Sequence, residues 1–212
     1  MPQPPFLPPP RVDDLRSRWT ALVPDAPGVA DDLLARYVEP TRHYHDQRHL
    51  AEVLEAIDLL AAEADDVTAV RLAGWFHDAI YDPRRSDNEE ASARLADELL
   101  HGTSVSGRRA EVARLVRLTV HHAPDPRDVD GGVLCDADLA ILAASPVRYG
   151  EYVAGVRAEY AHLGDPAFRA GRSAILDRLL SRERLYTTRY GREHWEERAR
   201  RNLTAELALL RR

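Results

Sequence analysis

The chain has 212 residues, 44% of them hydrophobic and 30% charged, with a formal net charge of −6; this is the composition of a globular protein, not of a disordered or fibrous one. The acidic balance argues against a nucleic-acid polymer or an anionic membrane as partner, and no apolar run approaches the ~20 residues that cross a bilayer. A single cysteine, Cys135, rules out an internal disulfide and points to a reducing, cytoplasmic compartment.

The length suits one domain, read over residues 13–212, that buries roughly 70% of its unfolded surface. Residues 1–12 are rich in proline and lack a basic start followed by an apolar core, so they read as a flexible lead-in rather than a secretory signal. From there nearly every stretch between breakers repeats its apolar residues with the 3.6 period of a helix. Residues 13–23 carry Leu15, Trp19 and Leu22 on one stripe and stop at Pro24; residues 29–38 follow and stop at Pro40. The third helix, 46–64, has Leu50, Val53, Leu54, Ile57 and Leu60 on its apolar face. Helices over 67–79, 87–100 and 108–122 end at Asp82-Pro83, near Gly102 and before Pro124. A loop rich in Pro, Gly and Asp spans 123–132, and helices over 134–144, 147–162, 166–180 and 193–210 complete the chain. No run shows the two-residue alternation of a half-buried strand, so the expected fold is an all-α bundle.

Polar side chains on core-facing stripes are the candidates for function, because burying them is unfavourable unless they are paired or ligated. His49 borders the stripe of Leu50 and Val53. His77 continues the inward face of Val70 and Ala73, and Asp78 follows it. In the sixth helix His122 extends the stripe Val112, Leu115, Thr119, whereas His121 follows Arg114 and Arg117 on the wet face. Asp138 interrupts the apolar face of Leu134, Ile141 and Leu142, while Asp136 is read less clearly, as an inward group or as a first-turn acid that complements the helix dipole. Two or three imidazoles and two carboxylates would then point inward from four helices. Such a mixed nitrogen and oxygen set suits Mn, Fe, Co, Ni or Zn, with Mg as the oxygen-favouring alternative; the cysteine count excludes a thiolate site.

Tyr44-His45-Asp46-Gln47-Arg48-His49, then His77-Asp78, then Ala137-Asp138-Leu139 resemble the H…HD…D signature of the HD superfamily of metal-dependent phosphohydrolases. Residues 75–81, 87–93, 136–142 and 149–160, with Gly171-Arg172, also resemble a bacterial subfamily of predicted HD-type phosphohydrolases, and the likeness spans roughly residues 36–207. Residue by residue it implies His49, His77, Asp78 and Asp138 as metal ligands within an HD-type helical bundle. The Tyr-His-x-x-x-His spacing is similar to that of cyclic-nucleotide phosphodiesterases, which implies His45 as the acid that protonates the leaving oxygen. On a helix, positions i and i+4 share a face, which would set His45 one turn from His49.

The resemblance implies hydrolysis of a phosphate ester, of a nucleotide or another small phosphorylated metabolite, by metal-activated water. Asp78 would both ligate and orient that water, and Arg42, Arg48 and Arg157 are the expected phosphate partners. Asn88, Glu89 and Glu90 read either as groups that orient the ligand imidazoles or as dipole-complementing acids of the fifth helix. His122 would allow a second ion. Two other readings stand beside hydrolysis: a di-iron oxygenase on the same His/Asp frame, and a non-catalytic module that binds a nucleotide or a partner protein.

Overall fold

The computed structural model describes residues 12–212. The flexible lead-in read over residues 1–12 lies outside them, apart from Val12, which opens the first helix. The described residues form eleven α-helices and no strand, as the periodicity predicts. In chain order these are α1 (Val12–Leu22), α2 (Pro27–Arg36), α3 (Gln47–Leu60), α4 (Val67–Phe76), α5 (Asn88–Leu99), α6 (Arg109–Leu118), α7 (Val129–Asp138), α8 (Pro146–Glu159), α9 (Asp165–Leu180), α10 (Arg189–His194) and α11 (Glu196–Leu210). Short 3₁₀ turns cover Ala61–Glu63, Ser106–Arg108 and Leu139–Ala143. No helix among the described residues is long and apolar enough to cross a membrane.

The stripes read from sequence form the core. Leu50, Val53, Leu54, Ile57 and Leu60 of α3 are all buried, and Trp19, Trp75 and Trp195 are each at most 1% exposed. A central group forms through contacts of α3 with α4 and α7, of α4 with α6 and α7, and of α6 with α7. α5 lies on α4 and α6; α11 lies on α9 and on the Leu139–Ala143 turn, which α8 also touches.

Several helix ends differ from the expected ones, and each has a local cause. α6 stops at Leu118 rather than running to residue 122: the N–H groups of Thr119, Val120 and His121 bond three residues back, and His122 takes the left-handed φ of 46° that closes the turn. α7 begins at Val129, inside the expected loop, because the Asp128 carboxylate accepts from Gly131 N at 3.0 Å and caps it. It ends at Asp138 and tightens into a 3₁₀ turn. The expected last helix is two, α10 and α11, broken at Trp195, with α10 capped by Thr188.

Two glycines allow the close approaches that bring the polar groups together. A Cβ on Gly74 of α4 would lie 2.6 Å from Ile57 Cδ1 of α3, and one on Gly155 of α8 would lie 2.7 Å from the carbonyl oxygen of His43. Gly150, on the same helix α8, has nothing within 4 Å of such an atom. Gly155→Ala must therefore push backbone from backbone and is expected to destabilise by about 1–3 kcal/mol, whereas Gly150→Ala gains up to about 1 kcal/mol of helix propensity. Urea midpoints of the two variants test this, and equal midpoints would contradict it.

Candidate metal centre

Helix ends aim the polar groups. Asp46 caps α3, its carboxylate accepting from Arg48 N at 2.8 Å and His49 N at 3.1 Å, so His49 sits in the first turn, 1% exposed. His77 is the residue at which α4 closes, Asp78 follows it, and Asp138 is the last residue of α7. The C-terminal ends of α4 and α7 thus meet at one place, and helix C-termini carry partial negative charge that favours a cation.

His49 Nε2 stands 3.0 Å from His77 Nε2, 3.2 Å from Asp138 Oδ1 and 3.3 Å from Asp78 Oδ2. His77 Nε2 stands 3.1 Å from Asp78 Oδ2 and 3.7 Å from Asp138 Oδ1. Donor atoms about 2.0–2.2 Å from a common ion stand roughly 3.0–3.5 Å from one another, so these separations fit a shared ion. The tautomer fits as well: His77 Nδ1 donates to the carbonyl of Gly74 at 2.8 Å, which leaves Nε2 to offer its lone pair inward. His49, His77 and Asp138 therefore form a group able to hold a metal ion.

The electrostatics express the same demand for positive charge. Burial opposes the charged form of His49, yet its hydrogen bonds to Asp138 and Asp78 push it up to about 10. His77 is likewise raised against burial by the two carboxylates. Burial works against the ionised aspartates too, but the surrounding imidazoles hold Asp78 and Asp138 well below the usual carboxylate range.

His45 lies before α3, not on it, so helical periodicity does not place it. Glu159 does. This buried carboxylate accepts from the backbone N–H groups of His43, Tyr44 and His45 at 2.8–2.9 Å, from His45 Nδ1 at 2.7 Å and from the Tyr81 hydroxyl at 3.0 Å. Tyr81 stacks on the His45 ring at 4.1 Å. With Nδ1 donating to Glu159, His45 has Nε2 left for the cavity that it lines. Burial raises the Glu159 carboxyl, but His45 and the backbone donors outweigh it and lower the group to about 2. Sequence reasoning missed Glu159, although the signal was there: it is an acid on the stripe of Tyr149, Tyr152 and Val156, the buried face of α8.

His45, Asp78, His122 and Asp138 line one cavity of about 460 Å³. The three expected phosphate partners do not line it. Arg42 is buried, donating to the carbonyls of His45, Asp78 and Ala79 and to Glu39. Arg48 pairs with Glu52 and Glu151. Arg157 pairs with Asp165 and covers the ring of Phe168. The arginines at the cavity are Arg172, Arg178 and Arg182. Arg172 forms a buried pair with Glu206 at 2.7 Å. Arg182 donates to the carbonyls of His121 and His122, and burial together with the neighbouring Arg178 lowers its basicity. Sequence reasoning missed Arg178, in the last turn of α9, and Arg182, two residues beyond its end.

The remaining candidates separate clearly. His122 is inward, as its stripe predicts, but reaches there from a left-handed turn, φ 46°, and its Nε2 meets Asp138 Oδ2 at 2.6 Å, the oxygen facing away from the two imidazoles. Asp136 is buried near the end of α7 rather than in a first turn, and accepts from Thr187 N, Thr188 N and the Thr188 hydroxyl. Asn88 bonds Asp82, Glu90 pairs with Arg117, and Glu89 lines the cavity; the group that orients His77 is the Gly74 carbonyl instead. Searches of family models, curated proteins and solved structures return no match to this chain.

Two outcomes are expected. Mn²⁺, Co²⁺, Ni²⁺ or Zn²⁺ at about 100 times its Kd should stabilise the fold by about 2.7 kcal/mol, read as a rise in Tm that His77→Ala abolishes; no rise with any ion would exclude the site. The second concerns Glu159, whose folded value of about 2 lies below its ordinary 4.5. Its contribution is present above the ordinary value and is lost as pH falls from about 4.5 to 2, on the order of 3 kcal/mol. Acid unfolding of Glu159→Gln should lack that part of the slope; identical slopes would show that the carboxylate is not so held.

Proposed function

We propose that this protein is a metal-dependent phosphohydrolase of the HD type, with His49, His77, Asp78 and Asp138 as metal ligands and His45 as general acid. The observation that carries the reading is a single cavity whose wall holds both Asp78 and Asp138 of the ligand cluster and a histidine anchored through Nδ1 to a buried carboxylate. A divalent cation bound by the cluster acidifies a coordinated water to a pKa of about 7 and screens charge on a phosphoryl group.

The chain's own residues supply the rest. Arg178, which lines the cavity and has no carboxylate partner among the described residues, offers a cationic donor to phosphoryl oxygens, while Arg182 holds the His121–His122 turn beside it. Asp78 orients the attacking water. As the water oxygen bonds to phosphorus, the ester P–O bond breaks and His45 Nε2 gives a proton to the departing oxygen; the proton lost by the attacking water passes to solvent, from which His45 is reprotonated. Glu159 fixes the His45 ring through Nδ1, the orienting role a carboxylate plays behind a catalytic imidazole. The products are an alcohol and inorganic phosphate.

A phosphate-release assay with Mn²⁺, Co²⁺, Ni²⁺ and Mg²⁺ over a panel of phosphate monoesters tests the reading. His45→Ala is expected to lower kcat by about 10²–10⁴ with metal content unchanged. Turnover unaffected by that substitution would remove His45 from the mechanism, and an absence of phosphate release across the panel would overturn the assignment. Oxygen uptake by the iron-loaded protein would instead select the oxygenase chemistry.

A further inference from the structure

The cavity is far larger than a phosphoryl group needs, and at about 460 Å³ it falls among the pockets that enclose whole small molecules. Its lining is sorted by element. The ionisable groups come mainly from the ends of α3, α4, α6 and α7. The opposite wall is α8, α9 and the Leu139–Ala143 turn, and it contributes Leu142, Val156, Phe168, Ile175 and Leu179. On α9 Phe168, Ile175, Arg178 and Leu179 all reach the cavity, so the apolar surface runs directly into the Arg178 guanidinium, with Arg182 just past the helix end. Ile175 is 42% exposed, an apolar side chain left open toward the cavity.

That wall also carries Tyr152 and Tyr160, but their hydroxyls are engaged by Arg172 and Tyr81. No Asn, Gln or Ser lines the cavity among the described residues. The one lining threonine, Thr119, donates its hydroxyl to the Val116 carbonyl, and Arg172 is held by Glu206. Reading a nucleobase requires donors and acceptors set against its edges. Among the buried side-chain polar atoms of the lining, the one that lacks a partner is the Tyr44 hydroxyl, beside His45 and His49, at the metal end rather than along the wall.

We propose that the cavity takes phosphate esters whose alcohol portion is apolar, alkyl or aryl, seated along α9 between Phe168 and Leu179, with the phosphoryl group at the cluster. This rests on the phosphohydrolase reading for its chemistry but on the wall for its selectivity. Recognition then comes from apolar area removed from water, and affinity grows with chain length.

Calorimetric binding of n-alkylphosphonates, methyl to hexyl, to the Mn²⁺-loaded full chain tests it without turnover. Each added CH₂ is expected to tighten Kd about threefold to fourfold, with hexylphosphonate well ahead of adenosine monophosphate. Ile175→Asn, at an exposed position, should flatten that slope and leave methylphosphonate unchanged. A flat series, or adenosine monophosphate binding as tightly as hexylphosphonate, would overturn the proposal. Phosphate release with a flat series removes the apolar subsite and spares the hydrolase reading. A steep series without phosphate release supports the subsite and removes the hydrolase reading.

Discussion

Two imidazole nitrogens held 3.0 Å apart in a dry interior, with two carboxylates around them, need a positive charge between them. A proton shared between the two nitrogens meets part of that need, whereas a metal ion would take a lone pair from each nitrogen and from the carboxylates at once. The fold brings the C-terminal ends of α4 and α7, which carry partial negative charge, against the first turn of α3 at this point. Buried polar groups of this kind are unfavourable for stability taken singly, and are consistent only as a set that shares one cation.

Holding such a set requires rigid irregular backbone, and the structure uses buried charged side chains for that purpose. Arg42 bridges the carbonyls of His45, Asp78 and Ala79, tying the turn before α3 to the turn after α4. Glu159 gathers the three successive N–H groups of residues 43–45, and Gly155, one turn earlier on α8, lets that turn approach. Arg182 holds the His121–His122 carbonyls. Each of these charges is paired with backbone dipoles and so neutralised locally, leaving the cluster's own charge unopposed.

The clamps mark where sequence reading succeeded and where it stopped. Helices and inward faces were legible, because an apolar stripe of period 3.6 is a local property and His49, His77 and Asp138 interrupt such stripes. The inward choice of His122 over His121 was legible on the same ground, although the helix meant to carry it ends at Leu118. Arginine roles were not. Whether a guanidinium meets phosphate or a carbonyl thirty-six residues away, as Arg42 meets Asp78, depends on long-range packing that no local pattern encodes. Arg42 and Arg48 flank His45 in the chain yet point elsewhere, while Arg178 and Arg182 reach the cavity from the far end of the molecule's sequence. The start of α7 was hidden for a different reason: Gly131 and Gly132 read as loop, and the Asp128 cap that overrides them is a single side chain.

His122 shows how one of these placements shapes the chemistry. Its backbone occupies the left-handed region, φ 46°, a conformation unfavourable by roughly 1 kcal/mol or more for a residue with a side chain. What it gains is a 2.6 Å contact with Asp138 Oδ2. That contact engages the outer oxygen and turns Oδ1 alone toward the imidazoles, so Asp138 acts through one oxygen. The His49 and His77 nitrogens and one Asp138 oxygen are three donors, a number that would leave part of an ion's coordination open, as in a reactive rather than a closed structural site. The strained turn at His122 is therefore best understood as part of the site's design, limiting the protein's own hold on the ion.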